Sequence, residues 1–111
     1  MDFINSKIMT QPQKMEYIIE KGCEYFGLSK EKLTAPNMGK SAIAGKKKYI
    51  SLVLSEYTAY NVVEIASELS YKSPQNVYRN ILNLKEELSE EFYGTDKTKR
   101  IYNELLNYLQ L

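Results

Sequence analysis

Between Asn61 and Arg79 the chain reads NVVEIASELSYKSPQNVYR, and no other stretch restricts the possible folds as much. Asn61 is a favoured N-cap type, and Val62, Ile65, Ala66 and Leu69 follow at helical spacing. Ser70, Tyr71 and Lys72 leave room only for a tight connection. Ser73 offers a second N-cap, and Pro74 falls at the first helical position, where its missing N–H is no loss. The helix that follows has an apolar stripe of Val77, Ile81, Leu84 and Leu88, with Gln75, Asn76 and Arg79 grouped on another face. The pattern is that of a helix-turn-helix. A helix that buries one side and presents Gln, Asn and Arg near its start is built like a major-groove reader, because the amides can pair bidentately with adenine and the guanidinium with guanine. The same spacing also describes a plain helical hairpin with solvated polar residues, so the rest of the chain has to separate the two.

With 111 residues and 43% apolar content, the chain can form one small domain around one core. Charged residues make up 26%, and there are only five glycines and three prolines, which is not the composition of a disordered segment. The net charge of +1 does not by itself announce a nucleic-acid binder. Its distribution is more informative. From Gly39 to Lys85 there are seven basic residues (Lys40, Lys46, Lys47, Lys48, Lys72, Arg79, Lys85) against Glu56, Glu64 and Glu68, and the remainder of the chain is net acidic. Positive charge thus collects around the suspected helix-turn-helix, as an electrostatic footprint requires.

Cys23 is the sole cysteine and lies on an apolar helix side with Met15, Ile18, Ile19 and Phe26. It reads as a buried structural thiol, and the absence of any disulfide framework fits a reducing cytoplasm. The opening MDFINSKIMT lacks the basic-then-apolar pattern of a secretory signal, and no apolar run approaches the ~20 residues of a membrane span. We therefore expect a cytoplasmic, nucleoid-associated protein with no membrane contact.

The expected organisation is all-α, a compact bundle of five to six helices. Residues 1–10 form an arm without a clear pattern, and 11–111 make one helical domain. A first helix spans about Gln11 to Phe26, with Met15, Ile18, Ile19, Gly22, Cys23 and Phe26 inward and Gly27 as C-cap. Ser29 caps a short turn that buries Leu33, and Thr34 to Gly45 reads as a loop marked by Pro36, Gly39 and Gly45. A third helix runs from about Lys46 to Tyr57 with Ile50, Val53, Leu54 and Tyr57 inward. The helix-turn-helix occupies about 61–92, its second helix reaching about Phe92. Gly94, Thr95 and Asp96 break and recap the chain. A last helix, about Lys97 to Leu109, packs through Ile101, Leu105, Tyr108 and Leu109.

Lys46, Lys47 and Lys48 at the start of that third helix oppose its dipole, a cost of ~0.3–1 kcal/mol for each exposed charge. A phosphate placed there reverses the sign, since lysines and unpaired N–H groups then both face an anion. The alternative is a solvated charge run. The loop before it adds Lys40. Tyr71 in the turn can cover the core edge or reach a phosphate with its hydroxyl.

These parts, in this order, resemble the C-terminal DNA-binding domain of the bacterial chromosomal replication initiator DnaA, a Trp-repressor-like helical fold. The resemblance runs from about Glu20 to the C-terminus. It begins at CEYFGLSKEKL (Cys23 to Leu33), continues through KKKYISLVLSEYT, and is best in SEYTAYNVVEIASELSYKSPQNV. The family pattern there is Glu-Leu-Thr, then Ser-Leu-x-x-Ile-Gly, then Phe-Gly-Gly-Arg-Asp-His-Thr-Thr-Val. Glu56, Thr58, Ile65 and Val77 match, and Leu69 stands for the Phe. Lys72 keeps the charge of the Arg, and Ser73 can replace the Asp as cap. The His-Thr-Thr that reads the origin box is replaced by Pro74, Gln75 and Asn76, so the fold carries over better than the sequence specificity. No Gly-x-x-x-x-Gly-Lys-[Ser/Thr] phosphate loop is present, and ATPase activity is not expected.

The resemblance and the residues together imply sequence-preferring binding to double-stranded DNA in the regulation of replication initiation or transcription. Gln75, Asn76 and Arg79 are the candidate base contacts. Lys40, Lys46, Lys47, Lys48, Tyr71, Lys72 and Ser73 are the candidate phosphate contacts. No metal or cofactor is expected. Catalysis is not expected either: the chain has no histidine, and Glu86, Glu87, Glu90 and Glu91 read as a solvated acidic face. The alternative is a helical adaptor that keeps the scaffold and binds protein through those acids or through the C-terminal helix, near Tyr93, Tyr102 and Tyr108.

Overall fold

A computed structural model describes residues 9–34, 42–89 and 95–111. Among them are six helices and no strand: α1 (Gln11–Phe26), α2 (Lys30–Thr34), α3 (Ala42–Tyr57), α4 (Val62–Glu68), α5 (Pro74–Ser89) and α6 (Thr95–Leu109). The arm at 1–8, Lys40, Glu90, Glu91 and Tyr93 lie outside the described residues.

The helix ends follow from local chemistry. Thr10 Oγ1 accepts from the Gln13 N–H at 3.3 Å, and Gln13 Oε1 accepts from the Thr10 N–H at 2.9 Å, a reciprocal capping box. α1 stops where Gly27 turns left-handed (φ 70), so that Gly27 N–H reaches Glu24 O and Leu28 N–H reaches Cys23 O. Ser29 Oγ accepts from Lys32 N–H and starts α2. Asn61 and Glu64 form a second capping box ahead of α4.

α3 is the central element and packs against α1, α2, α4 and α5; α6 closes the bundle against α1 and α5. Ile50, Leu52, Val53 and Leu54 are all at most 1% exposed, so this helix is covered on nearly every side rather than along one stripe. The core is continuous, joining Met15, Ile18, Ile19 and Cys23 of α1 to Ile65, Val77, Ile81, Leu84, Leu105 and Leu109. Burial raises the pKa of the Cys23 thiol, with nearby Lys30 partly opposing it, which keeps the thiol protonated and unreactive. α1 crosses α3 at Gly22, where an added Cβ would stand 3.0 Å from Ile50 Cδ1 and Cγ1. A radius of gyration of 13.4 Å is that of one compact domain of this length.

Several boundaries differ from the sequence expectation. α3 starts at Ala42, so Gly45 and Lys46 are helical and not loop and helix start. The last helix begins at Thr95, two residues earlier than expected. α5 is described to Ser89. Tyr108 is 44% exposed rather than inward; its hydroxyl donates to Glu24 Oε1 at 2.9 Å, and Thr98 takes an inward place on α6 instead.

Candidate nucleic-acid interface

The α4–α5 connection is built from the backbone outward. Leu69 ends α4 and Ser70 adopts φ 58. Ser70 N–H then reaches Ser67 O at 3.4 Å, and Tyr71 N–H reaches Ala66 O at 2.9 Å. This is the same left-handed closure that ends α1, with serine where glycine is usual. α5 starts at Pro74, and Ser73 contributes through its carbonyl, which accepts from Asn76 N–H at 3.2 Å. No bond from the Ser73 hydroxyl to the helix start is present, so the expected side-chain cap is not made.

Tyr71 anchors this turn to α3. Its ring is half-buried, and its hydroxyl lies 3.1 Å from Ser51 Oγ, which itself donates to Lys47 O at 2.8 Å. Desolvation raises the pKa of the phenol, while hydrogen bonds with Ser51 and Asn80 act against it. Lys47 Nζ sits over the same ring, 4.8 Å from its centroid. The residue is only 5% exposed, and burial lowers the ammonium pKa. Tyr71, Lys47, Ser51 and Asn80 thus form a polar hinge between α3 and the turn.

The three consecutive lysines do not act as a comb. Successive side chains on a helix diverge by ~100°. Lys46 reaches the Phe26 carbonyl at the end of α1, at 3.5 Å. Lys47 lies under the turn, and Lys48 is half-buried. None of the three stands at the helix N-terminus, which lies at Ala42, so they are not placed beside the first-turn N–H groups expected to share an anion with them.

On α5, Gln75 and Arg79 are exposed one turn apart, Asn76 is half-buried, and Lys72 is exposed in the turn. The structure adds Tyr78 (59% exposed) and Leu82 (45%) to the outer face. Gln75, Tyr78, Arg79 and Leu82 follow an i, i+3, i+4, i+7 spacing, a second stripe turned away from the core. That spacing is present in the sequence, but the stronger stripe of Val77, Ile81 and Leu84 obscures it. Val63 on α4 is 58% exposed. Lys85, counted with the positive cluster, is paired with Glu56 at 2.9 Å; both are well exposed, so the pair adds little stability.

Glu86 and Glu87 are exposed, and Glu87 accepts from the Thr98 hydroxyl at 2.8 Å. Among the described residues no cluster of three or more His, Cys, Asp or Glu could hold a metal ion, and no helix is long and apolar enough to cross a membrane. No family model matches the chain, and neither curated proteins nor solved structures give a match.

Proposed function

We propose that this chain binds double-stranded DNA with a preference for sequence, in the manner of a helix-turn-helix, and regulates replication initiation or transcription without ATPase activity. One observation carries the reading most directly. Gln75 and Arg79 project from the opening turns of a helix whose other side is core, just past a turn that exposes Lys72. An amide and a guanidinium so placed suit adenine and guanine edges, and the ammonium suits a phosphate. Tyr78 and Leu82 on the same face suit apolar contact with thymine methyl groups. The helix order, with a long α1 ending in Tyr25-Phe26, a short α2, then α3 and the α4–α5 pair, supports the likeness to the initiator DNA-binding domain. Pro74, Gln75 and Asn76 in place of His-Thr-Thr point to a different target site.

Selection from a random duplex library at low and at physiological salt tests this. The expected result is an enriched motif, with affinity falling by about 0.9 log unit per log unit of salt for each phosphate neutralised. Arg79→Ala is expected to relax preference at one base pair and to cost ~1–3 kcal/mol of DNA affinity, whereas Lys72→Ala weakens all sequences alike. Retention without any enriched motif, equal in wild type and both variants, removes these roles.

The exposed Tyr78, Leu82 and Val63 favour one second reading, a protein-binding adaptor. In that case no duplex is retained at low salt, and the acidic Glu86 and Glu87 join the same contact surface.

A further inference from the structure

Around the start of α3, where it meets α1 and α6, lies an open groove of about 630 Å3. Its walls are aromatic. Phe26 and Tyr49 stand 6.0 Å apart between ring centroids with 40° between their planes, and Tyr25 meets Phe26 edge-on at 4.9 Å. All three are half-buried and so present part of each ring to solvent. The Tyr49 phenol lies close to Thr98, whose hydroxyl donates to Glu87. The cations are Lys46 and Lys97. Among the described residues the Lys46 ammonium donates to the Phe26 carbonyl, which leaves two of its N–H donors. Arg100 lies near enough to act on the Tyr25 phenol. Among the described residues the ion pairs are Lys21–Glu24 and Lys85–Glu56, so Lys46, Lys97 and Arg100 have no carboxylate partner there. The nearby carboxylates are engaged otherwise: Glu104 accepts from Tyr25 Oη at 3.0 Å, and Glu87 accepts from Thr98.

Gly45 lines the same groove from the first turns of α3. Neither packing nor backbone calls for glycine there. Its φ is not left-handed, and among the described residues no heavy atom lies within 4 Å of where a Cβ would stand. Glycine weakens a helix, yet any larger residue at this position would project into the groove.

We propose that this groove binds single-stranded nucleic acid, one base stacking on the Phe26–Tyr49 wall and its phosphate lying between Lys46 and Lys97, with Gly45 leaving the space for the sugar. Unpaired bases offer faces to aromatic rings, while a duplex keeps its bases stacked on one another. The groove is open, so a strand can run through it. This surface uses none of Gln75, Arg79 or Lys72 and stands apart from the duplex reading.

The test is fluorescence anisotropy of a labelled oligothymidylate of about ten nucleotides, a length within the range of single-strand sites. Saturable, salt-sensitive binding is expected at low salt. Gly45→Leu and Lys97→Ala should each weaken it by about fivefold or more, the loss of a stacked base or a phosphate contact. Gly45→Leu should unfold at the same temperature as wild type or higher. Arg79→Ala should bind the single strand as wild type does, whether or not duplex binding is found. The idea is overturned by an absence of saturable binding, or by wild-type affinity in both Gly45→Leu and Lys97→Ala. Displacement by thymidine monophosphate or polyglutamate as effective as by the unlabelled oligomer overturns it too.

Discussion

Gly27, Ser70 and Gln110 hold the same left-handed backbone position after three different helices, with φ of 70, 58 and 64. In each case the next residue's N–H reaches back into the last turn: Leu28 to Cys23, Tyr71 to Ala66, Leu111 to Leu106. The motif wants glycine, since a Cβ in this conformation costs ~1–2 kcal/mol, but glycine also gives the unfolded chain more freedom. Ser70→Gly is therefore expected to stabilise the protein by ~0.5–1 kcal/mol net. The mirror change, Gly27→Ala, should lose about 1 kcal/mol from backbone strain alone, because nothing among the described residues lies within 4 Å of the added carbon. Urea unfolding of the two variants reads both signs. A midpoint for Ser70→Gly at or below that of wild type, at equal m-value, contradicts the account. Gly27 is legible from sequence as a C-cap, because glycine at a helix end has a specific meaning. Ser70 is not, because serine has no preference for that conformation; only the flanking helical spacings betray the turn. Tyr71 shows the same limit. Sequence allows it to seal the core edge or to reach outward, and the position of Ser51, one helix away, decides for the hinge.

At the scale of elements, legibility tracks one-sidedness. α1 has one buried face, and its expected bounds and its inward Met15, Ile18, Ile19, Gly22 and Cys23 are those observed, while Phe26, expected inward as well, is only partly buried at the helix end. α3 is covered on several sides, with Leu52 buried beside the stripe of Ile50, Val53 and Leu54, so one stripe understates its interior, and Gly45, which reads as a breaker yet sits inside the helix, hides its start. The burial of Lys47 is equally hidden, since a lysine's apolar stem can lie under a ring while its charge suggests the surface. The crossing of α1 and α3 gives the test at this scale. In Gly22→Ala the added carbon meets Ile50 at 3.0 Å, and Ile50 is fully buried and cannot swing out. Overpacking of ~1–3 kcal/mol should outweigh the ~0.5–1 kcal/mol gained in helix propensity, a net loss of about 1 kcal/mol. Ile50→Val alone should cost ~0.5–1.5 kcal/mol, but it removes Cδ1, one of the two carbons that clash, and leaves only a γ methyl against the new carbon. The double variant should then be more stable than the sum of the two predicts, by at least ~0.5 kcal/mol in a double-mutant cycle. Strict additivity means that the two helices are not in contact at this point.

For the whole molecule, the ten tyrosines make alkaline pH the informative variable. Burial raises the pKa of Tyr102, with Tyr57 and Glu56 adding to it; burial likewise raises Tyr71 and Tyr49 despite hydrogen bonds that oppose it. A phenol whose folded pKa lies above its unfolded value contributes stability that is complete below the unfolded value, 10.0. As pH rises past that value the unfolded chain loses protons that the folded chain keeps, and stability falls by about 1.4 kcal/mol per pH unit for each such phenol. Lys47 works the other way. Its lowered pKa means that the folded state gives up a proton before the unfolded chain does, so stability rises slightly as pH climbs through that range. Tyr25 and the Cys23 thiol are raised as well, so several acids stand against one ammonium and the net is a loss. The expected observation is that the buried phenols Tyr102, Tyr71 and Tyr49 ionise only together with loss of the helical circular-dichroism signal. Tyr102→Phe should move that loss to higher pH, because the phenol with the largest upward shift is gone. Simultaneous ionisation of all ten tyrosines with helicity intact would show that Tyr102, Tyr71 and Tyr49 are as wet in solution as the surface ones, and the hinge joining the turn to α3 would then not exist as described.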